Sequence, residues 1–88
     1  MTHTNTKKLT LIKRSTPICP ACITMQNALE GAGIPYETID IAEEPDAIEK
    51  YGLSSVPVLL IDEDGGGHIR LNGIQPVEVV KELLEGAD

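Results

Sequence analysis

The chain's two cysteines stand as Cys19-Pro20-Ala21-Cys22, after an apolar strand-like run and at the start of a helix-like one. Thiols at i and i+3 on a helix lie one turn apart, within the roughly 4.4–6.8 Å Cα separation that a disulfide needs. Such a pair can open and close. At a helix N-terminus the dipole and the unpaired backbone N–H groups favour a thiolate on the first cysteine. Cys19 is therefore the expected exposed nucleophile toward a substrate disulfide. Cys22, one turn deeper, is the thiol expected to resolve the mixed disulfide. Pro20 and Ala21 set the access and strain of the loop, and so help set its reduction potential. A zinc site would need two more ligands, and the histidines, His3 and His68, fall in a terminal segment and a hairpin. No metal is expected. A purely structural disulfide would close a very short loop and stabilise little.

A second signal is Ser54-Ser55-Val56-Pro57-Val58. Proline cannot donate to a β ladder, so Pro57 implies either a strand start or edge, or a cis Val56–Pro57 bond. A cis turn would leave the Val56 backbone free to pair with an extended substrate segment beside the thiols. Asp40 is either a proton acceptor near the thiols or a solvated strand end. Met25 and Leu29 continue an apolar helical spacing and read as core, and His68 reads as a surface residue. Gly65-Gly66-Gly67 lacks a following Lys-Ser/Thr and reads as a hairpin loop, not a phosphate cradle.

The elements that must hold these groups follow from periodicity. Leu9–Ile12 is β-prone, and a polar connection runs from Lys13 to Thr16 before Pro17. From Pro20 to about Ala32, the residues Ile23, Met25, Ala28, Leu29 and Ala32 give helical spacing, with Pro20 suited to the first helical position. Pro35–Ile41 alternates as a strand, and a short helix runs from Glu43 or Pro45 to Tyr51. Val56–Ile61 and His68–Leu71 form a hairpin around an acidic, glycine-rich turn, and Pro76–Glu85 is a helix with Val77, Val80, Leu83 and Leu84 inward. The order is β-α-β-α-β-β-α. It predicts an α/β fold with a four-stranded mixed sheet covered by helices.

Eighty-eight residues make one domain, here a polar tail over 1–8 and a single domain over 9–88. Tyr36 and Tyr51 are the only aromatics, so the core must be Ile, Leu, Val and Ala, and base stacking has little to work with. A net charge of −7 also argues against a nucleic-acid partner. No apolar run reaches the length of a membrane span, and the N-terminus lacks an apolar signal region. The expectation is a cytoplasmic monomer with no membrane partner. In a reducing compartment its thiol pair is catalytic before it is structural.

Cys19-Pro20-Ala21-Cys22, Ser55-Val56-Pro57 and the glycine-containing turn before the last helix together resemble the glutaredoxin-like group of the thioredoxin superfamily over residues 9–85. The resemblance implies the thioredoxin-like (glutaredoxin) fold, a cis Pro57 packed against the cysteines, and substrate contacts from Val56, Pro57, Asn72 and Gly73. Glutathione-dependent members typically show C-P-Y-C, T-V-P and a Gly-Gly turn followed by an acidic pair. Here Ala21, Ser55 and Asn72-Gly73-Ile74-Gln75-Pro76 stand instead, which weakens glutathione binding. The last segment is similar in spacing to the S-G-F-R-P turn of NrdH-type redoxins. The basic residue preceding the motif would fall on Lys13 or Arg14.

This branch implies a dithiol–disulfide oxidoreductase that holds no bound cofactor. Its electrons would come from NADPH through a thioredoxin reductase and go to protein disulfides such as those of ribonucleotide reductase. The alternatives are a glutathione-dependent glutaredoxin and a non-enzymatic thioredoxin-like binding module.

Overall fold

The most apolar runs become the two central strands of the sheet. The computed structural model describes residues 7–62 and 67–85. Its elements are β1 (Leu9–Lys13), α1 (Pro20–Gly31), β2 (Glu37–Asp40), α2 (Asp46–Lys50), β3 (Val58–Asp62), β4 (His68–Asn72) and α3 (Val77–Glu85). The order is the expected one. The sheet runs β2-β1-β3-β4, with β1 parallel to β2 and antiparallel to β3, and β3 antiparallel to β4.

Alternation along the central strands divides the core into two layers. Leu9, Leu11, Leu59 and Ile61 face one side and pack with Met25 and Leu29 of α1 and Val80 and Leu84 of α3. Ile12, Val58 and Leu60 face the other side, covered by Ile39, Ile41, Tyr51, Leu53 and Val56. Each fully buried aliphatic side chain of this kind contributes about 1.5–3 kcal/mol relative to exposure. Val77 and Leu83 are partly buried against the first layer, so α3 presents the inward face that its spacing predicts.

Some expected positions differ, and the second strand, expected over Pro35–Ile41, spans Glu37–Asp40. Ile23 is 49% exposed, because the buried stripe of α1 runs through Cys22, Met25 and Leu29 and Ile23 lies about 100° off it. The third strand starts at Val58, not Val56, since Pro57 has no N–H to give the ladder.

The turn out of α1 is fixed by its own backbone. Gly33 N–H donates to Glu30 O at 3.1 Å and Ile34 N–H to Leu29 O at 3.0 Å, the paired bonds that close a Schellman motif. The Tyr36 hydroxyl then donates to Glu30 Oε2 at 2.6 Å. Partial burial, followed by that bond, holds the Tyr36 phenol above the usual tyrosine range.

The expected tail lies largely outside the described residues. Of its last two members, Lys7 donates its N–H to Leu84 O at 3.2 Å, and Lys8 O accepts from Asp62 N–H at 3.0 Å. Most of the acidic, glycine-rich turn, 63–66, also lies outside them. His68 is exposed as expected, with Nε2 3.3 Å from Asp62 Oδ1 across the start of the hairpin.

Candidate active site

Cys19 caps α1. Its backbone is extended (φ −120°, ψ 98°), Pro20 occupies the first turn, and Cys19 Sγ accepts the Cys22 N–H at 3.1 Å. A cap position places the sulfur against the unpaired N–H groups of the helix start. No acidic side chain lies in that first turn to oppose a thiolate. Cys19 and Cys22 form a disulfide with their Cα atoms 5.2 Å apart.

Neither sulfur stands out in solvent. Cys19 is 5% exposed and Cys22 2%, whereas the sequence predicts an exposed Cys19. The Cys19 sulfur faces the Cys22 amide and is bonded to the buried Cys22 sulfur. It remains the more accessible of the two.

The connection into Cys19 is fastened at its base. Lys13 O accepts Ile41 N–H at 2.9 Å, and Asp40 Oδ1 accepts the Ser15 N–H at 3.1 Å and the Ala42 N–H at 3.0 Å. Arg14 Nε–H donates to Pro17 O at 3.0 Å, and the Thr16–Pro17 bond is cis. Hydrogen bonding from the Ser15 side chain, above all, holds the Asp40 carboxyl below the usual carboxylate range; desolvation opposes it, and the Ala42 and Ser15 amides add to it. The sequence leaves Asp40 as either a proton acceptor or a solvated strand end; instead its carboxylate anchors the loop by accepting the Ser15 and Ala42 amides.

The Val56–Pro57 bond is cis, and Pro57 is fully buried. Its carbonyl accepts the Gly73 N–H at 2.9 Å. Gly73 has φ +82°, a left-handed conformation that glycine adopts without a Cβ penalty. Gln75 N–H then meets Met25 Sδ at 3.3 Å, and Gln75 Nε2 donates to Asn72 O at 2.8 Å. Met25 lies three residues after Cys22. The 72–76 turn is thus tied both to Pro57 and to the helix that carries the thiols. Among the described residues, no hydrogen bond engages the main chain of Val56.

The Asn72 side chain is partly committed elsewhere: its Oδ1 faces Arg70 Nε at 3.4 Å. Sequence reasoning missed Arg70, whose guanidinium also donates to Tyr51 O at 2.6 Å and Gly52 O at 3.2 Å. It also missed three exposed isoleucines next to the site residues. Ile18 before Cys19 is 68% exposed, Ile74 after Gly73 is 52%, and Ile23 after Cys22 is 49%. For Ile18 and Ile74, an isoleucine beside a reactive motif but outside any apolar period is the signal that could have found them; Ile23 is hidden inside the helical period. Beside Val56 a cavity of about 160 Å³ is lined by Arg14, Ile41, Leu53, Ser54 and Ser55 among others.

Among the described residues, no group of three or more His, Cys, Asp or Glu side chains is placed to hold a metal ion. No described helix is long and apolar enough to cross a membrane.

Cys19 follows β1 and the cis Pro57 precedes β3, its paired neighbour in the sheet, and the profile of the Glutaredoxin family matches residues 8–65. The chain belongs to the glutaredoxin family. It is 36% identical over 76 residues to the SPbeta prophage-derived thioredoxin-like protein YosR of Bacillus subtilis, spanning 85% of this chain and 95% of that protein. With thioredoxin of Staphylococcus aureus it shares 30% identity over 73 residues, 76% of this chain and 70% of the thioredoxin.

Solved structures share the fold. Chloroplastic thioredoxin z superposes with a TM-score of 0.76 at 19% identity, covering 91% of this chain and 76% of that one. NrdH-redoxin from Escherichia coli gives 0.61 at 24% identity, covering 92% and 99%. With its two cysteines at disulfide distance, this glutaredoxin-family protein is a thiol–disulfide oxidoreductase.

Proposed function

We propose that this glutaredoxin-family protein is a cytoplasmic dithiol electron donor to protein disulfides, re-reduced by NADPH through a thioredoxin reductase. The observation that carries the choice is the 72–76 turn. It has no ionisable side chain and presents Ile74 to solvent. Glutathione, with two carboxylates and an ammonium, needs charged groups to hold it. A protein segment needs apolar contact and a main-chain rung, which Ile18, Ile23, Ile74 and the unengaged backbone of Val56 supply.

In the proposed cycle the Cys19 thiolate attacks one sulfur of a substrate disulfide. A Cys19–substrate mixed disulfide forms and the first substrate thiolate leaves, taking a proton from solvent. Cys22, deprotonated, attacks Cys19 Sγ. The second substrate thiol leaves, and two electrons have passed from the dithiol to the substrate. The reductase returns two electrons from NADPH to the Cys19–Cys22 disulfide. Pro57 and Gly73 shape the wall against which the substrate lies, Val56 pairs with its backbone, and Pro20 and Ala21 tune access.

The E. coli NrdH-redoxin is described as a glutaredoxin-like protein with a thioredoxin-like activity profile. The same combination is proposed here, with ribonucleotide reductase as the acceptor that this resemblance suggests. A second reading, reduction by glutathione, is favoured by the cavity beside Val56, where Arg14 and two serines could meet a carboxylate.

The two readings separate in one comparison. Oxidised protein is supplied with NADPH and either thioredoxin reductase or glutathione with glutathione reductase, and reduction of insulin is followed. Turnover with thioredoxin reductase supports the first reading. Turnover with glutathione alone gives the second, and turnover with neither removes both.

A further inference from the structure

Arg70 sits on the edge strand β4 opposite Leu60, and so on the sheet face that Tyr51 and Leu53 cover. Tyr51 caps α2 and Gly52 follows it, and among the described residues no backbone N–H donates to either carbonyl. Arg70 supplies the donors. Nη1 donates to Tyr51 O at 2.6 Å and Nη2 to Gly52 O at 3.2 Å, while Nε faces Asn72 Oδ1 at 3.4 Å. A cation at a helix C-terminus is also favoured by the dipole. The first two acceptors begin the segment that runs through Leu53, Ser54 and Ser55 to Val56–Pro57. The third begins the turn whose Gly73 N–H reaches Pro57 O at 2.9 Å.

We propose that Arg70 is a positioning residue for substrate docking: its one guanidinium sets the spacing between the Val56–Pro57 segment and the Asn72–Gly73 turn, without touching the thiols. The proposal rests on the reading of Val56 as the docking rung. The planar fork is what the site uses, because it meets two successive carbonyls and a side-chain oxygen at fixed angles. A lysine ammonium offers one point of charge.

The test compares wild type with Arg70→Lys and Arg70→Ala, and has one readout that needs no activity. Amide hydrogen exchange at Gly73 should speed up about tenfold in Arg70→Ala and less in Arg70→Lys. KM for insulin should rise about fivefold with kcat nearly unchanged, while reduction of a small aromatic disulfide stays at the wild-type rate. Methylguanidinium added to Arg70→Ala should recover part of the loss.

A lower melting temperature with Gly73 exchange and KM unchanged would mean a merely structural clamp and overturn the proposal. If Arg70→Ala does not fold, Arg70→Lys decides by the same readouts. If the wild type reduces no protein disulfide, the functional reading fails, and Gly73 exchange alone still decides whether Arg70 positions the turn.

Discussion

The amide of Gly73 donates to the carbonyl of Pro57 at 2.9 Å. Through that bond the turn before α3 and the proline before β3 form one wall, and Gln75 extends it to Met25 on the thiol-bearing helix. Residues far apart in the chain are held as a single surface. The proposed substrate docking uses that surface.

Gly73→Ala tests the wall's backbone. A Cβ at this position meets nothing within 4 Å, so crowding adds nothing. The left-handed φ of +82° remains, and it costs an L-residue about 1–2 kcal/mol. Urea unfolding should show a loss of that size, together with a raised KM for insulin. Unchanged stability would show that the turn does not need its glycine.

Asp40 gives a pH signature with a defined sign. Its carboxyl titrates below the ordinary value of 3.8, chiefly because of hydrogen bonding from Ser15. A depressed folded-state value means that the stabilisation is present above the unfolded value and lost as pH falls through the folded one. Wild type should therefore be more stable than Asp40→Asn at neutral pH, with the difference vanishing in acid below the carboxylate range. The Ser15 and Ala42 amide resonances should shift over the same interval. A stability difference that stays flat from neutral pH into strong acid would contradict the anchor.

Ile74 tests what the surface recognises. At 52% exposure its replacement by Glu should leave folding stability within about 0.5 kcal/mol. Burying the exposed half of an isoleucine under a docked protein contributes about 0.8–1.5 kcal/mol, so kcat/KM for insulin should fall about fivefold to tenfold. Reduction of a small disulfide should be spared. Equal losses on both substrates would place Ile74 in the chemistry instead of in docking.

The dithiol and the element order are legible because both are local. A C-x-x-C at a helix start announces its own geometry, and strands of period two between helices of period 3.6 name the sheet. Pro57 could be read only as strand start or cis bond, because both conformations fit an X-Pro in an apolar run. The resemblance pointed to the cis form, which the structure has. What stayed hidden depends on strand register and on neighbours distant in sequence. Arg70 matters because β4 sets it opposite Leu60, within reach of the end of α2, and no periodicity encodes that. Cys19 is covered, with its sulfur bonded to Cys22 and facing the Cys22 amide, and Ile23 is uncovered because one residue separates it from the buried stripe. Asp40 reads first as a solvated strand end, and only the structure shows the amides of Ser15 and Ala42 engaging its carboxylate.

The most direct test of the central claim is a mass measurement on Cys22→Ser. Reduced variant incubated with excess oxidised insulin should accumulate a stable adduct through Cys19, released by dithiothreitol, because no second thiol is left to resolve it. Cys19→Ser under the same conditions should form little or none. Adduct formation through Cys22 in Cys19→Ser, with none through Cys19 in Cys22→Ser, would reverse the assigned roles. An absence of adduct in both would contradict dithiol exchange as this protein's chemistry.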